Sequence, residues 1–181
     1  MAKLDAEKRE LIKSISPKTL QAIVLKLAEK RPVYNYILVN YIDLEEGEQE
    51  LLTEAISLID TIREKPIKAR TQRHKLSKLL AEYLKIIKEY SPLWKNKQHE
   101  VDLIIYCLEK HFKEDYRQLG LKASTFDTKM VSLTRRALNL IVNKLHEDYK
   151  LEYEERMNGF LDKLHTRCGH LISVTKLPTS I

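Results

Sequence analysis

Apolar residues recur three and four positions apart along almost the whole chain, the spacing of one face of an α-helix. Leu20, Ile23, Val24, Leu27 and Ala28 are the clearest set, and Ser16 with Pro17 ahead of them is an N-cap residue followed by a first-turn proline. That helix closes at Arg31 and Pro32. Pro32 in turn suits the first turn of a second helix, PVYNYILVNYI, which is apolar enough to be buried over much of its circumference. The two together predict a helical hairpin.

Past Gly47, the residues Leu51, Leu52, Ala55, Ile56, Leu58, Ile59 and Ile62 mark a helix that ends before Pro66, because the residue ahead of a proline avoids the helical conformation. A long helix is expected over about residues 67–90, with Leu76, Leu79, Leu80, Tyr83, Leu84 and Ile87 as its core stripe. SPLW at 91–94 repeats the cap-and-proline signature and marks a break. Val101, Ile104, Ile105, Leu108 and Phe112 predict the next helix, which decays into an irregular connection over 114–124. Ser124 with Asp127 resembles a capping box, opening a helix of about 20 residues through Met130, Leu138 and Ile141. A last helix over roughly 149–167 stops at Gly169.

Only HLISVT alternates in the manner of a strand, and one isolated strand cannot form a sheet. The fold class is therefore all-α. About eight helices, counting a short one opening at Ala6, form an irregular stack of antiparallel helical hairpins, either a superhelix or a bundle. Residues 1–170 read as a single domain and 171–181 as a C-terminal tail.

The first hairpin, SPKTLQAIVLKLAEKRPVYNYILVNYI, resembles the helix pairs of HEAT- and armadillo-like arrays and of several uncharacterised bacterial helical families. The likeness covers about 27 of the 181 residues and rests on apolar spacing plus the proline at the turn. It implies a scaffold that binds other macromolecules on one helical face.

Composition narrows the setting. With 43% hydrophobic residues over 181 positions the chain can bury a core, and its four glycines and five prolines are few. Two cysteines, Cys107 and Cys168, are too few for a disulfide framework, and MAKLDAEKRE is charged where a signal peptide needs an apolar stretch. A cytoplasmic setting is expected. The longest run without a charged residue is the 11 positions from Pro32 to Ile42, short of the ~20 that span a bilayer, so no membrane partner is expected.

Candidate chemistry is sparse. Cys107 and His111 stand four apart, and His165, Cys168 and His170 cluster, so a four-coordinate zinc site is conceivable; Cys107 among Leu103, Ile104 and Leu108 reads better as a small core residue. A di-iron bundle needs two Glu-x-x-His turns, and only Asp162 precedes a histidine, His165, at that distance. Asp148, Glu152 and Glu155 share a face that reads as solvated rather than as an acid and base pair. No two of the glycines at 47, 120, 159 and 169 are close enough to cradle a phosphate. Neither a catalytic set, a metal site nor a cofactor is expected.

Charge is the remaining signal. Residues 1–62 carry 8 basic and 11 acidic groups, 63–99 carry 11 and 3, and 100–181 carry 13 and 12, so the net charge of +6 is local in origin. Within REKPIKARTQRHKLSK, residues 63–78, seven Lys or Arg face one Glu. On one continuous helix Lys68, Lys75, Lys78 and Lys85 would share an arc of about 100° opposite the leucine stripe. Arg63, Lys68, Arg70, Arg73, Lys75 and Lys78 are thus the candidate macromolecule-binding residues. An acidic protein surface is the expected partner and non-sequence-specific nucleic acid the alternative. Stacking on bases by Tyr83 or Tyr90 competes with a place for both in the core.

Overall fold

Residues 5–121 and 124–181 are described by a computed structural model, apart from the side chain of Glu45; Lys122 and Ala123, within the connection expected at 114–124, lie outside the described residues. Among these residues there are nine α-helices and no strand, so the fold is all-α. The chain divides into two units, one ending at Gly47 and one beginning at Glu48.

The first unit holds α1 (Ala6–Lys13), α2 (Pro17–Ala28), α3 (Arg31–Ile37) and a π-helical turn over Leu38–Ile42. Ser16 caps α2 as its sequence requires, its Oγ accepting from the Thr19 N–H at 3.2 Å with Pro17 in the first turn. α2 and α3 pack as the expected hairpin. Burial departs from expectation. The stretch from Pro32 to Ile42 buries Asn35, Leu38 and Val39 but leaves Tyr34, Tyr36, Tyr41 and Ile42 exposed. A seven-residue helix packed on a single neighbour covers one side only, however apolar the others are.

The second unit begins within α4 (Glu45–Glu64), which starts about two turns earlier than its apolar stripe suggests. It continues with α5 (Gln72–Tyr90), α6 (Lys97–Glu114), a 3-10 turn over Tyr116–Gln118, α7 (Thr125–Lys144), α8 (Glu147–Cys168) and α9 (Ile172–Thr175). α7 is the hub, packed on α5, α6, α8 and α9. Between these helices lie Leu80, Tyr83 and Ile87, with Val101, Ile104 and Leu108, and Phe126, Met130 and Ile141, all essentially inaccessible. The Phe112 and Phe160 rings stack across α6 and α8 with centroids 4.9 Å apart. Ser124 and Asp127 form the expected box, the Asp127 N–H donating to Ser124 Oγ and that hydroxyl donating to the Asp127 carboxylate.

Two local expectations fail. The helix expected from residue 67 begins at Gln72, because Thr71 accepts from the His74 N–H through Oγ1 and fixes the start there. Its stripe includes Ile86 in place of the half-exposed Leu84. The break expected at SPLW is present: Ser91 ends α5 and the next cap is Asn96, whose Oδ1 accepts from the Gln98 N–H at 2.9 Å.

What holds that turn is α4. Trp94 is buried and its indole N–H donates to the Glu48 carbonyl at 3.2 Å, while the Glu48 carboxylate accepts from the N–H groups of Lys95 at 2.6 Å and Asn96 at 3.3 Å. Glu48→Ala strands two backbone donors in a partly buried turn, a change of about 1–3 kcal/mol. Urea denaturation should show that loss, with Glu48→Gln recovering part of it; an unchanged midpoint for the alanine variant contradicts the cap.

Residues 171–181, read above as a tail, are packed. Val174 and Leu177 are buried, the Arg135 guanidinium donates to the Ser173 carbonyl at 2.6 Å, and the Ile181 N–H donates to Asn158 Oδ1 at 2.8 Å. No helix among the described residues is long and apolar enough to cross a membrane.

Candidate functional site

Once α5 begins at Gln72, the basic segment is no longer one helical face. Arg63 closes α4, residues 65–71 cross to α5 in open conformation, and Lys75 and Lys78 stand in the first turns of α5. Lys65, Lys68, Arg70 and Lys78 are exposed, and Arg73 and Lys75 are half-buried. Lys78 reaches back to the crossing segment, its ammonium donating to the Lys68 carbonyl at 3.0 Å. Lys68 and Lys78 therefore remain neighbours, through a loop and a side chain instead of a shared helix face. Farther along α5, Lys85 pairs with Glu82 at 2.7 Å, so it adds little free charge.

Arg63 turns inward. Its guanidinium, with 16% of the side chain accessible, donates to Glu114 at 2.7 Å and to Asp115 at 2.9 Å, 51 and 52 residues away. Burial disfavours the charge on Arg63, but its bonds to Asp115 outweigh that and hold it ionised. Arg63 ties α4 to the end of α6 and separates from the exposed set. Lys65, Lys68, Arg70, Lys75 and Lys78 have no carboxylate within ion-pair distance among the described residues.

Behind Arg63 lies a buried polar cluster that charge counting does not reveal. Asp115 Oδ2 also meets His111 Nδ1 at 2.8 Å, and the inaccessible His111 ring sits between Tyr83 and Phe126, each centroid 5.5 Å away. Burial pushes the Tyr83 phenol up to about 12 despite the nearby Arg63 charge. Cys107, one turn before His111, is fully buried, and that burial pushes its thiol far above the ordinary range, the opposite of nucleophile activation. A second pairing on the same side joins Asp60 to Lys110 and to the Tyr106 hydroxyl. Burial would raise the Asp60 carboxyl, but Lys110 and Tyr106 outweigh it and hold it below its usual value.

The other cysteine and histidines do not converge with these. Cys168 is buried, with its thiol pushed up to about 11 by burial, and His165 Nε2 lies 3.1 Å from the Pro178 carbonyl. Among the described residues no group of three or more His, Cys, Asp or Glu side chains is placed to hold a metal ion. Asp148, Glu152 and Glu155 are exposed, as their setting suggests. One apolar cleft of about 460 Å³ opens between α7 and α8 against residues 178–181, floored by Leu138, Ile141 and Val142.

The surface that sequence reasoning missed is in the first unit. α1 and α2 bury no residue at all, and Ile23, Val24, Leu25 and Leu27 are 40–65% exposed. Periodicity marks which residues share a face, but a face expected to be core shows itself as surface only when its packing partner can be counted. Compared with family models, curated proteins and solved structures, the chain matches none.

Proposed function

We propose that this protein is a non-enzymatic helical interaction module that holds an acidic surface of another protein through Lys65, Lys68, Arg70, Lys75 and Lys78. The carrying observation is the density of cations at the α4–α5 crossing, which have no carboxylate within ion-pair distance among the described residues, whereas Arg63 at the start of the run is paired. Unpaired cations clustered on one surface steer an anionic partner and raise its association rate. Two buried free cysteines fit a reducing compartment such as the cytoplasm.

Protein is favoured over nucleic acid as the partner because Tyr83 and Tyr90, the aromatics that could have stacked on bases, are wholly inside. Isolation of complexes from the cells that make the protein, with and without nuclease, tests this reading. The complex should survive nuclease, and Lys68→Glu, Arg70→Glu, Lys75→Glu and Lys78→Glu together should release the partner. Loss on nuclease treatment, with binding that falls steeply with salt, would identify nucleic acid instead. Survival of the complex in the quadruple variant would remove this surface from the function.

A further inference from the structure

We infer that the exposed face of the N-terminal hairpin is a docking groove for an amphipathic helix of a partner protein, one whose apolar stripe is flanked by acidic residues. The inference uses no residue of the 65–78 surface and concerns the first unit alone.

Of the sixteen large hydrophobic residues that stand exposed among the described residues, eleven lie between Leu11 and Leu44. A monomeric surface scatters such residues singly; a concentration of this kind marks an interaction site. Within it, Ile23, Lys26, Leu27 and Lys30 line one concavity of about 420 Å³, together with Glu29. Ile23, Lys26 and Leu27 stand three and four apart on one face of α2, the relief into which a second helix lays its own side chains, and Glu29 and Lys30 of the following turn close its end. The same hairpin carries Tyr34, Tyr36 and Tyr41 at 43%, 47% and 75% exposure, a residue type enriched among binding hot spots. A π-helical turn, a feature frequent at functional sites, presents Tyr41 and Ile42.

Charge decides the occupant. From Ile12 to Arg31 the sequence has five basic residues, Lys13, Lys18, Lys26, Lys30 and Arg31, against Glu29 as the lone acid, and α2 itself contains no acidic residue. A second copy docking through a two-fold axis would bring the same basic patch from both chains into one interface. A helix with acidic flanks meets them with opposite charge. A lipid surface fits less well, because the cations stand among the apolar residues of a concave groove, whereas interfacial helices set them on the face opposite.

The test is selection from a displayed library of 18-residue helical peptides, with leucines fixed on one stripe and the flanking positions randomised, on the full chain. Asp and Glu should be enriched over Lys and Arg at the flanks by at least tenfold. A synthetic peptide from the selection should lose at least tenfold in affinity against Ile23→Ser with Leu27→Ser. Against Lys26→Glu with Lys30→Glu the selected flanks should invert to basic. Both double variants should keep the parent melting curve, since the altered side chains are exposed, and the quadruple variant at 68, 70, 75 and 78 should bind the peptide as the parent does. Failure to enrich, or enrichment without charge bias, overturns the proposal. So does a concentration-dependent dimer abolished by Ile23→Ser with Leu27→Ser, which would identify a second copy. Sedimentation with phosphatidylserine vesicles that those substitutions abolish and the peptide does not compete would likewise overturn it in favour of a membrane surface.

Discussion

Asp115→Ala should lower folding stability by about 3–5 kcal/mol, the range for removing one member of a buried ion pair. Asp115 is 6% exposed and serves two partners at once, the Arg63 guanidinium at 2.9 Å and His111 Nδ1 at 2.8 Å. Alanine leaves the guanidinium with Glu114 alone, an acid whose side chain is 49% exposed, and leaves His111 with neither ring nitrogen bonded, since Nε2 already lacks a partner. Burial by itself would raise the Asp115 carboxyl, but the bonds from His111 and Arg63 outweigh it and hold it below its usual value.

A depressed carboxyl contributes stability that is complete above its unfolded value, about 3.9, and is lost as pH falls through the lower folded value. The parent protein should therefore lose stability in acid more steeply than Asp115→Ala, whose remaining stability varies less below about pH 4. Urea midpoints measured at pH 7 and at pH 3 read both effects. Equal midpoints for parent and variant at pH 7 would mean that the cluster does not hold α4 to α6. A double variant, Arg63→Met with Asp115→Leu, removes both charges together and should recover much of the loss, as buried pairs replaced by apolar residues often do.

Gly120→Ala should be at least as damaging, for a reason of shape. Gly120 adopts φ of +69°, where a side chain costs about 1–2 kcal/mol, and a Cβ there would stand 1.8 Å from the Arg167 carbonyl oxygen. The obstacle is backbone of α8 and cannot rotate away, so the chain before α7 must lift off, taking with it the Gly120 N–H bond to Asp127 at 3.3 Å. A change of roughly 3 kcal/mol lowers the melting temperature of a chain of this size by about 6–12 °C. Gly159→Ala is the control: nothing lies within 4 Å of its Cβ, and alanine favours a helix interior by up to about 1 kcal/mol, so its melting temperature should hold or rise. A Gly120→Ala variant as stable as the parent would contradict the close approach to α8.

The helices and their inward faces were legible in the sequence because periodicity and caps are local. Ser16 with Pro17, Ser124 with Asp127, and the stripes through Leu80 and Ile104 stand where pattern put them. The errors share a different character. SPLW marked the break correctly, but the residue that caps its turn is Glu48, nearly fifty residues upstream. Arg63 counts as one more cation in a basic run until its acidic partners arrive from the far end of α6. Local charge density cannot separate a cation with a distant carboxylate from one without, so the exposed set at 65–78 emerged only after Arg63 was placed. The N-terminal hairpin failed in the opposite sense: its amphipathic pattern was correct, but amphipathicity does not say whether the second surface belongs to the same chain.

Glu48 is the first residue of the second unit, and three bonds reach from it to residues 94, 95 and 96. The turn that joins α5 to α6 has bonds of its own, but its donors at 94, 95 and 96 find their acceptors on a helix made much earlier in synthesis. The same dependence governs any attempt to express the second unit alone. A fragment beginning at Glu48 retains the carboxylate and carbonyl that organise the turn, whereas one beginning at Gln49 retains every helix of the bundle from α5 onward and loses both acceptors. The fragment beginning at Gln49 should therefore be the less stable of the two.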